Sequence, residues 1–245
     1  MNILHLLSWF PSPDDPTLGN FCVRMIDALP EDCHSVILSV CDGHNMKKSF
    51  EVKEIPGLHH THVQIYIRPP KNKMLRKLKM LRMYQYGLQY LKKQGFHPDL
   101  MHLHVAYPLG QLALLWHRLY GSPYVLTEHW TIYQPQNKDV LVGMLKRKIV
   151  RIANHASLIM PVSQDLQRCM EGHGIHNRYQ VIYNLVNTDI FQIGTTKDTP
   201  KKRLLHISTL RDEAKNFSGI LRIVERLRQQ RDDFELHVIH DYEAP

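Results

Sequence analysis

"PDLMHLHVAYPLGQLALLWHRLYGSPYVLTEHW", residues Pro98–Trp130, is the stretch on which the fold turns. Two short apolar runs, "DLMHLH" (Asp99–His104) and "PYVLT" (Pro123–Thr127), flank "LGQLALLWHRLY", where apolar side chains return at helical spacing. A strand, a crossover helix and a strand close a parallel pair, because parallel neighbours need a connection of about a dozen residues or more.

The alternation continues outward in both directions. "NILHLLS" (Asn2–Ser8), "SVILSV" (Ser35–Val40), "HVQIYI" (His62–Ile67), "SLIMPV" (Ser157–Val162) and "YQVIYN" (Tyr179–Asn184) read as further strands. Helices are expected at "FCVRMIDAL" (Phe21–Leu29), at Met74–Lys93 with Leu75, Leu78, Leu81, Leu88 and Leu91 near the helical period, and near Val140–Asn154. A further helix is expected after Ser163, which stands where an N-cap belongs, and Gly172 or Gly174 can end it. This predicts an α/β fold with a parallel sheet covered on both faces.

The polar, Gly- and Pro-containing stretch Gln192–Lys202 reads as a linker. The expected organisation is one full domain over 1–191, the linker over 192–202, and a single β-α-β unit over 203–245. That last piece is near the ~40 residues below which domains seldom stand alone.

At 43% hydrophobic and 22% charged residues the chain is globular, and no apolar run reaches the ~18 residues of a membrane span. The N-terminus lacks a basic leader and a small-residue cleavage site, so it reads as a strand rather than a signal peptide. The four cysteines form no CxxC pair, which points to reduced thiols and a cytoplasmic protein. A net charge of +8 suits an anionic partner without choosing one.

In open parallel sheets ligands sit beyond the carboxyl ends of the strands. After the first strand, Gly19 and Asn20 open a helix whose N–H groups suit a phosphate or sugar hydroxyl, with an ordinary turn as the competing reading of Gly19. His102 and His104, two apart on a strand, share a face. They read as paired metal ligands or as hydrogen-bonding groups of the core or cleft; no third ligand has a matching spacing, so no metal is expected. Tyr107 follows them. Glu128, His129 and Trp130, after "PYVLT", read either as a polar reaction centre with a stacking wall or as a buried ionic cluster under a loop. "LHHTH" (Leu58–His62) reads as a surface loop.

The segment Lys73–Lys93 carries Arg76, Lys77, Lys79, Arg82 and Lys92 besides its two terminal lysines, and no acid. It reads as a solvated outer face, or as a helix lying on an anionic bilayer where each surface cation contributes ~1 kcal/mol. "KRKIVR" (Lys146–Arg151) is a second basic stretch. In the tail, Arg211 and Lys215 fall between "LLHIS" and "FSGILRIVERL", where cations and helix-start N–H groups make a diphosphate site.

Four segments in this order resemble the retaining GT-B glycosyltransferases of family 4. "WFPSPDDPTLGNFCVRMIDAL" is similar to the family's first loop and helix, and Pro98–Trp130 to its central strand–helix–strand. "MPVSQDLQRCMEGHGIHNRYQVIYNLVNTDIF" resembles its hinge segment, and "LLHISTLRDEAKNFSGILRIVERL" the opening of its donor-binding domain. The resemblance implies a Rossmann-like acceptor-side domain followed by the start of a second Rossmann-like domain. It implies His129 as the cleft residue near the donor sugar and Lys215, with Arg211, at the donor diphosphate. Gly19 and Asn20 become the first-loop donor contact; by their position after strands, His104, Tyr107, Glu128 and Trp130 are expected in the acceptor cleft. A nucleotide-sugar donor and a glycan or lipid-linked acceptor are the implied partners, with no cofactor and no metal.

The sequence departs from the family pattern at Ser208-Thr209, where Gly-Arg is usual, at Tyr183 for Pro, and at Asn187 for Asp. "LHVIHDYEAP" resembles the strand that runs into a Gly-Asp-Gly turn, and there the sequence stops, so a truncated, inactive member is expected. The alternative is a non-catalytic acceptor- or membrane-binding module, peripheral on the inner membrane face. Nucleic acid is not expected, since no zinc spacing, RNP-like aromatic motif or helix-turn-helix signature is present. The apolar strand near Glu235–Ile239 raises the expectation of a homo-oligomer.

Overall fold

The computed structural model describes residues 1–10, 18–43, 45–194 and 200–240. Residues Pro11–Thr17 of the first loop, 195–199 of the expected linker and the tail Asp241–Pro245 lie outside them. The chain falls into two compact units, Met1–Asn187 and Thr188–Pro245.

The first unit carries β1 (Asn2–Leu7), α1 (Asn20–Asp27), β2 (His34–Asp42), β3 (Phe50–Pro56), β4 (His60–Ile67), α2 (Lys73–Lys93) and β5 (Leu100–His104). These are followed by α3 (Gly110–Tyr120), β6 (Tyr124–Glu128), α4 (Gly143–Asn154), β7 (Leu158–Pro161) and α5 (Gln164–Gly172). The strands form one sheet in the order β3-β4-β2-β1-β5-β6-β7. Every pairing is parallel except β3 with β4. The order reverses between β1 and β5, whose Leu7 and His104 are register partners.

Register makes the two faces of this sheet unlike each other. One face presents Leu4, Leu6, Leu38, Ile65, Leu103 and Leu126, all buried. Each such side chain contributes roughly 1.5–3 kcal/mol on leaving water. Helix α2 lies on this face through Tyr84, Leu88 and Leu91, and approaches closely because a Cβ at Gly87 would stand 2.6 Å from Leu38 Cδ1. The opposite face presents His5, Ser35, Ser39, His62, Gln64, His102, His104 and Thr127, also buried. They are partnered largely within the face: Ser39 Oγ with His62 Nε2 at 2.7 Å, His102 Nε2 with Thr127 Oγ1 at 2.7 Å, and Tyr66 donating to Gln64 Oε1 at 2.7 Å. A small apolar cluster of Leu7, Cys22, Ile26 and Ile37 seats α1 on this side.

Several elements differ from the sequence reading. The leucines of α2 do not form one stripe: Leu88 and Leu91 are buried, whereas Leu75, Leu78 and Leu81 are exposed. Each i+3 step falls about 60° short of a full turn at 3.6 residues per turn, so the series drifts off the packed face. Strand β3 went unread because Glu51, Lys53 and Glu54 mask it, as charges do on edge strands. "LHHTH" is not all surface loop, since His60 and His62 belong to β4 and His62 is buried. "YQVIYN" makes one bridge, Tyr179 with Ile159, rather than a strand. Ser163 caps α5 as expected, accepting from Leu166 N at 3.1 Å.

The second unit holds β8 (Lys202–Ile207), α6 (Asp212–Lys215), α7 (Phe217–Arg228) and β9 (Phe234–Ile239), with β8 and β9 paired in parallel. Leu205, Ile207 and Ile239 of this two-stranded sheet are exposed.

Burial, with a smaller contribution from His60, pushes His62 down to about 4. The unfolded chain therefore binds a proton near pH 6.5 that the folded chain refuses, and stability falls as pH drops from 6.5 toward 4. Urea unfolding at pH 5 and pH 8 should show His62 alone contributing roughly 2 kcal/mol of that loss. His62→Gln should flatten the pH dependence by this amount; an unchanged slope would contradict the assignment.

Candidate functional site

The carboxyl ends of β1, β5 and β6 meet at the strand-order reversal, and most residues named from sequence gather there. Gly19 precedes α1 with φ +69°, and a Cβ on it would stand 2.3 Å from the carbonyl oxygen of Trp9. Both the left-handed backbone and the close approach require glycine. This presses the α1 entry, with Asn20 as its first residue, against the end of β1. Trp9 in turn meets Phe21 and Trp130 edge-on, with ring centroids 6.3 and 6.2 Å apart. Phe21 packs on His129 at 4.6 Å, and His129 stacks on His104 at 6.1 Å.

Glu128 organises this end of the sheet. It is fully buried and accepts four hydrogen bonds: from the backbone N–H of Ala106 (3.0 Å), His129 (2.9 Å) and Trp130 (3.0 Å), and from the Tyr133 hydroxyl (2.9 Å). Burial raises its carboxyl above the usual range, and the four donors oppose that. Four donors on an acceptor-only carboxylate leave no lone pair for a substrate. Glu128 therefore lies beneath the cleft rather than lining it, and among the described residues it forms no ion pair. It joins the loop after β5 to the loop after β6. Val105, a β-branched residue held at φ +68°, begins the first of those loops.

His129 is half-buried and neutral: burial pushes it down to about 4, with the Asn184 side chain working in the opposite direction. His104 is fully buried, so it too lies under the cleft and does not line it. Tyr107 and Trp130 are half-buried and pack against the main core.

A cavity of about 380 Å³ opens beyond β1, β2 and β4. Ser8, Ser39, Asp42, Gln64, Arg76 and Tyr84 are among its lining residues. Arg76, in the first turn of α2, pairs with Asp42 at 2.5 Å. Sequence reading missed this wall, because its polar groups come one or two at a time from separate strands. It also missed His5 and Cys22, which the fold brings beside His104.

In the second unit Lys215 ends the single-turn α6 and Arg211 precedes it. Asp212 accepts from Ser218 N at 2.7 Å and Ser218 Oγ at 2.6 Å. Those bonds hold its carboxyl below the usual range. The helix-start amide read from sequence as open to a diphosphate is therefore taken, at Ser218, by an acid.

Of the α2 cations, Arg76 holds Asp42, Lys79 donates to Ser49 and Arg68 backbone oxygens, and Lys92 sits 4.0 Å over the Tyr120 ring. No helix among the described residues is long and apolar enough to cross a membrane.

A search of curated proteins finds no match. Among solved structures the chain is similar to OtsA in its apo form, with TM-score 0.64, 10% identity, and coverage of 100% of this chain and 66% of that one. It is similar to a trehalose-6-phosphate protein from E. coli bound with UDP-2-fluoro glucose, with TM-score 0.60, 11% identity, and 97% and 64% coverage. A sucrose-phosphate synthase from Thermosynechococcus elongatus gives TM-score 0.58, 10% identity, and 98% and 71% coverage. At such identities these likenesses speak for the fold, the Rossmann-like GT-B architecture. The chain spans about two thirds of the length of the structures it matches. The sequence pattern of Glycosyltransferase Family 4 matches residues 18–190, well over half of the chain, from the α1 entry through the hinge segment. This chain belongs to glycosyltransferase family 4.

Proposed function

We propose that the protein transfers a sugar from a nucleotide-sugar to a glycan or lipid-linked acceptor, with retention at the anomeric carbon. The observation that carries this reading is the meeting of the Gly19 turn and the neutral His129 imidazole at the strand-order reversal, in a chain of family 4. A neutral imidazole suits a sugar hydroxyl, because it offers one donor and one acceptor where a cation offers only donors. Trp9, Phe21 and Trp130 wall His129 with aromatic faces and edges against which a sugar ring packs.

Negative charge develops on the leaving diphosphate as the glycosidic bond breaks. Fixed cations there stabilise the transition state more than the ground state. Lys215 and Arg211 take that role, and no metal is required for it. The acceptor enters the cavity beyond β1, β2 and β4, where Ser39, Asp42, Gln64 and Arg76 present a polar wall. The bound UDP-2-fluoro glucose of the E. coli neighbour supports a nucleotide-sugar donor.

A lipid-linked acceptor is favoured by α2. Met74, Leu75 and Leu78 are exposed in its first two turns, beside Lys73 and Lys77, which form no ion pair among the described residues. Apolar side chains interleaved with cations suit an anionic bilayer surface.

Nucleotide release from a panel of nucleotide-sugars should reveal the donor. His129→Ala should then lower kcat by roughly 10²-fold or more with a small change in KM, the signature of a group acting in the transition state. Wild-type rates in that variant would remove His129 from the site. Lys73→Gln with Lys77→Gln should weaken sedimentation with phosphatidylglycerol vesicles by roughly 30-fold. Equal binding to phosphatidylcholine vesicles would rule out the electrostatic docking.

A further inference from the structure

The buried histidines under the cleft have more nitrogen than the protein uses. Parallel pairing of β1 with β5 places His5 directly beside His102, and alternation along β5 puts His104 on the same face. The three rings form a triangle, with centroids 4.1 Å apart for His102–His104, 5.2 Å for His5–His102 and 5.9 Å for His5–His104. One ligand atom from each lies within 4.8 Å of the others.

Their outer nitrogens are held from either side. Ser35 on β2 hydrogen-bonds His5 Nε2 at 3.2 Å, and Thr127 on β6 hydrogen-bonds His102 Nε2 at 2.7 Å. That is how ligating histidines are normally oriented, one nitrogen tethered and the other turned to the metal. His5 Nδ1 and both nitrogens of His104 are buried with no hydrogen-bond partner among the described residues. Each orphaned polar group is costly to bury, and apolar residues of similar size would avoid that cost.

The geometry points to a divalent transition-metal site, of the zinc class, formed by His5, His102 and His104. Imidazole nitrogen suits zinc and its first-row neighbours. At a Zn–N distance of about 2.0–2.1 Å, tetrahedral ligands lie about 3.4 Å apart, so each ring needs to turn inward by under about 1 Å. Cys22 and His129, with Cys22 Sγ 3.9 Å from His129 Nε2, supply a competing set with the same shared histidine. The metal would pin β1 to β5 where the strand order reverses, beneath the cleft. Its role is structural, independent of the proposed transfer.

The test is metal binding to the chelator-stripped chain, read by zinc competition with a chromophoric chelator and by the visible spectrum of the cobalt(II) form. One equivalent of Zn²⁺ should bind. The cobalt spectrum should show four- or five-coordinate nitrogen ligation without a thiolate charge-transfer band. His5→Gln and His104→Gln should each weaken zinc binding by 100-fold or more, while Cys22→Ser and surface His155→Gln leave it unchanged. Absence of stoichiometric binding, or binding indifferent to His5→Gln, would overturn the site. Loss in Cys22→Ser together with a thiolate band would overturn it in favour of the competing set. Should His104→Gln fail to fold, the wild-type cobalt spectrum and His5→Gln still decide.

Discussion

Parallel pairing of β1 with β5 is the constraint on which the rest of this chain's first unit depends. Strands that follow β1 in sequence add on one side, and those that follow β5 add on the other, so these two strands alone sit between opposite windings. Crossover helices must leave in opposite directions from that seam, and the backbone beyond Leu7 and His104 opens into a crevice. Gly19, Asn20, Tyr107, His129 and Trp130 all follow strands that converge on it. Glu128 then closes the seam from below: its four hydrogen bonds bind the loop after β5 to the loop after β6, and satisfy backbone amides that the turn would otherwise leave buried and unpaired.

The two faces of the sheet divide the labour of folding and function. The face under α2 and α3 is leucine, isoleucine and valine, and the transfer free energy of those side chains outweighs every single polar contact in the unit. The opposite face buries imidazoles, hydroxyls and an amide, whose hydrogen bonds at best return about 0.5–1.5 kcal/mol each. A face so costly to bury is consistent with a role other than stability. Ser39 and Gln64 of this face line the cavity beyond β1, β2 and β4, while His104 lies beneath the crevice.

Much of the fold was legible. The alternation of apolar runs and amphipathic segments identified the parallel α/β class and, within a few residues, nearly every element of the sheet. What was missed had physical causes. Strand β3 is an edge, so its charges hid its period. The α2 leucines fell into i+3 steps that wind around the helix, and only Leu88 and Leu91 reach the sheet. Glu128 and His104 looked like cleft residues because they end strands; burial depth, which depends on the layers above, places them lower.

By itself the sequence determined the order of most strands and helices, the glycine at the α1 entry, the Ser163 cap and the family. These are local properties: periodicity, backbone conformation and short spacings survive in a linear reading. Tertiary structure alone decided which side chains meet. His5 reaches His102 across 97 positions of sequence through one pair of strands, and Asp42 reaches Arg76 through a helix packed on the sheet. Spacing along a strand shows which residues share a face. Only the pairing of strands, and the helices laid over them, shows whose neighbours they are and which of them water can reach.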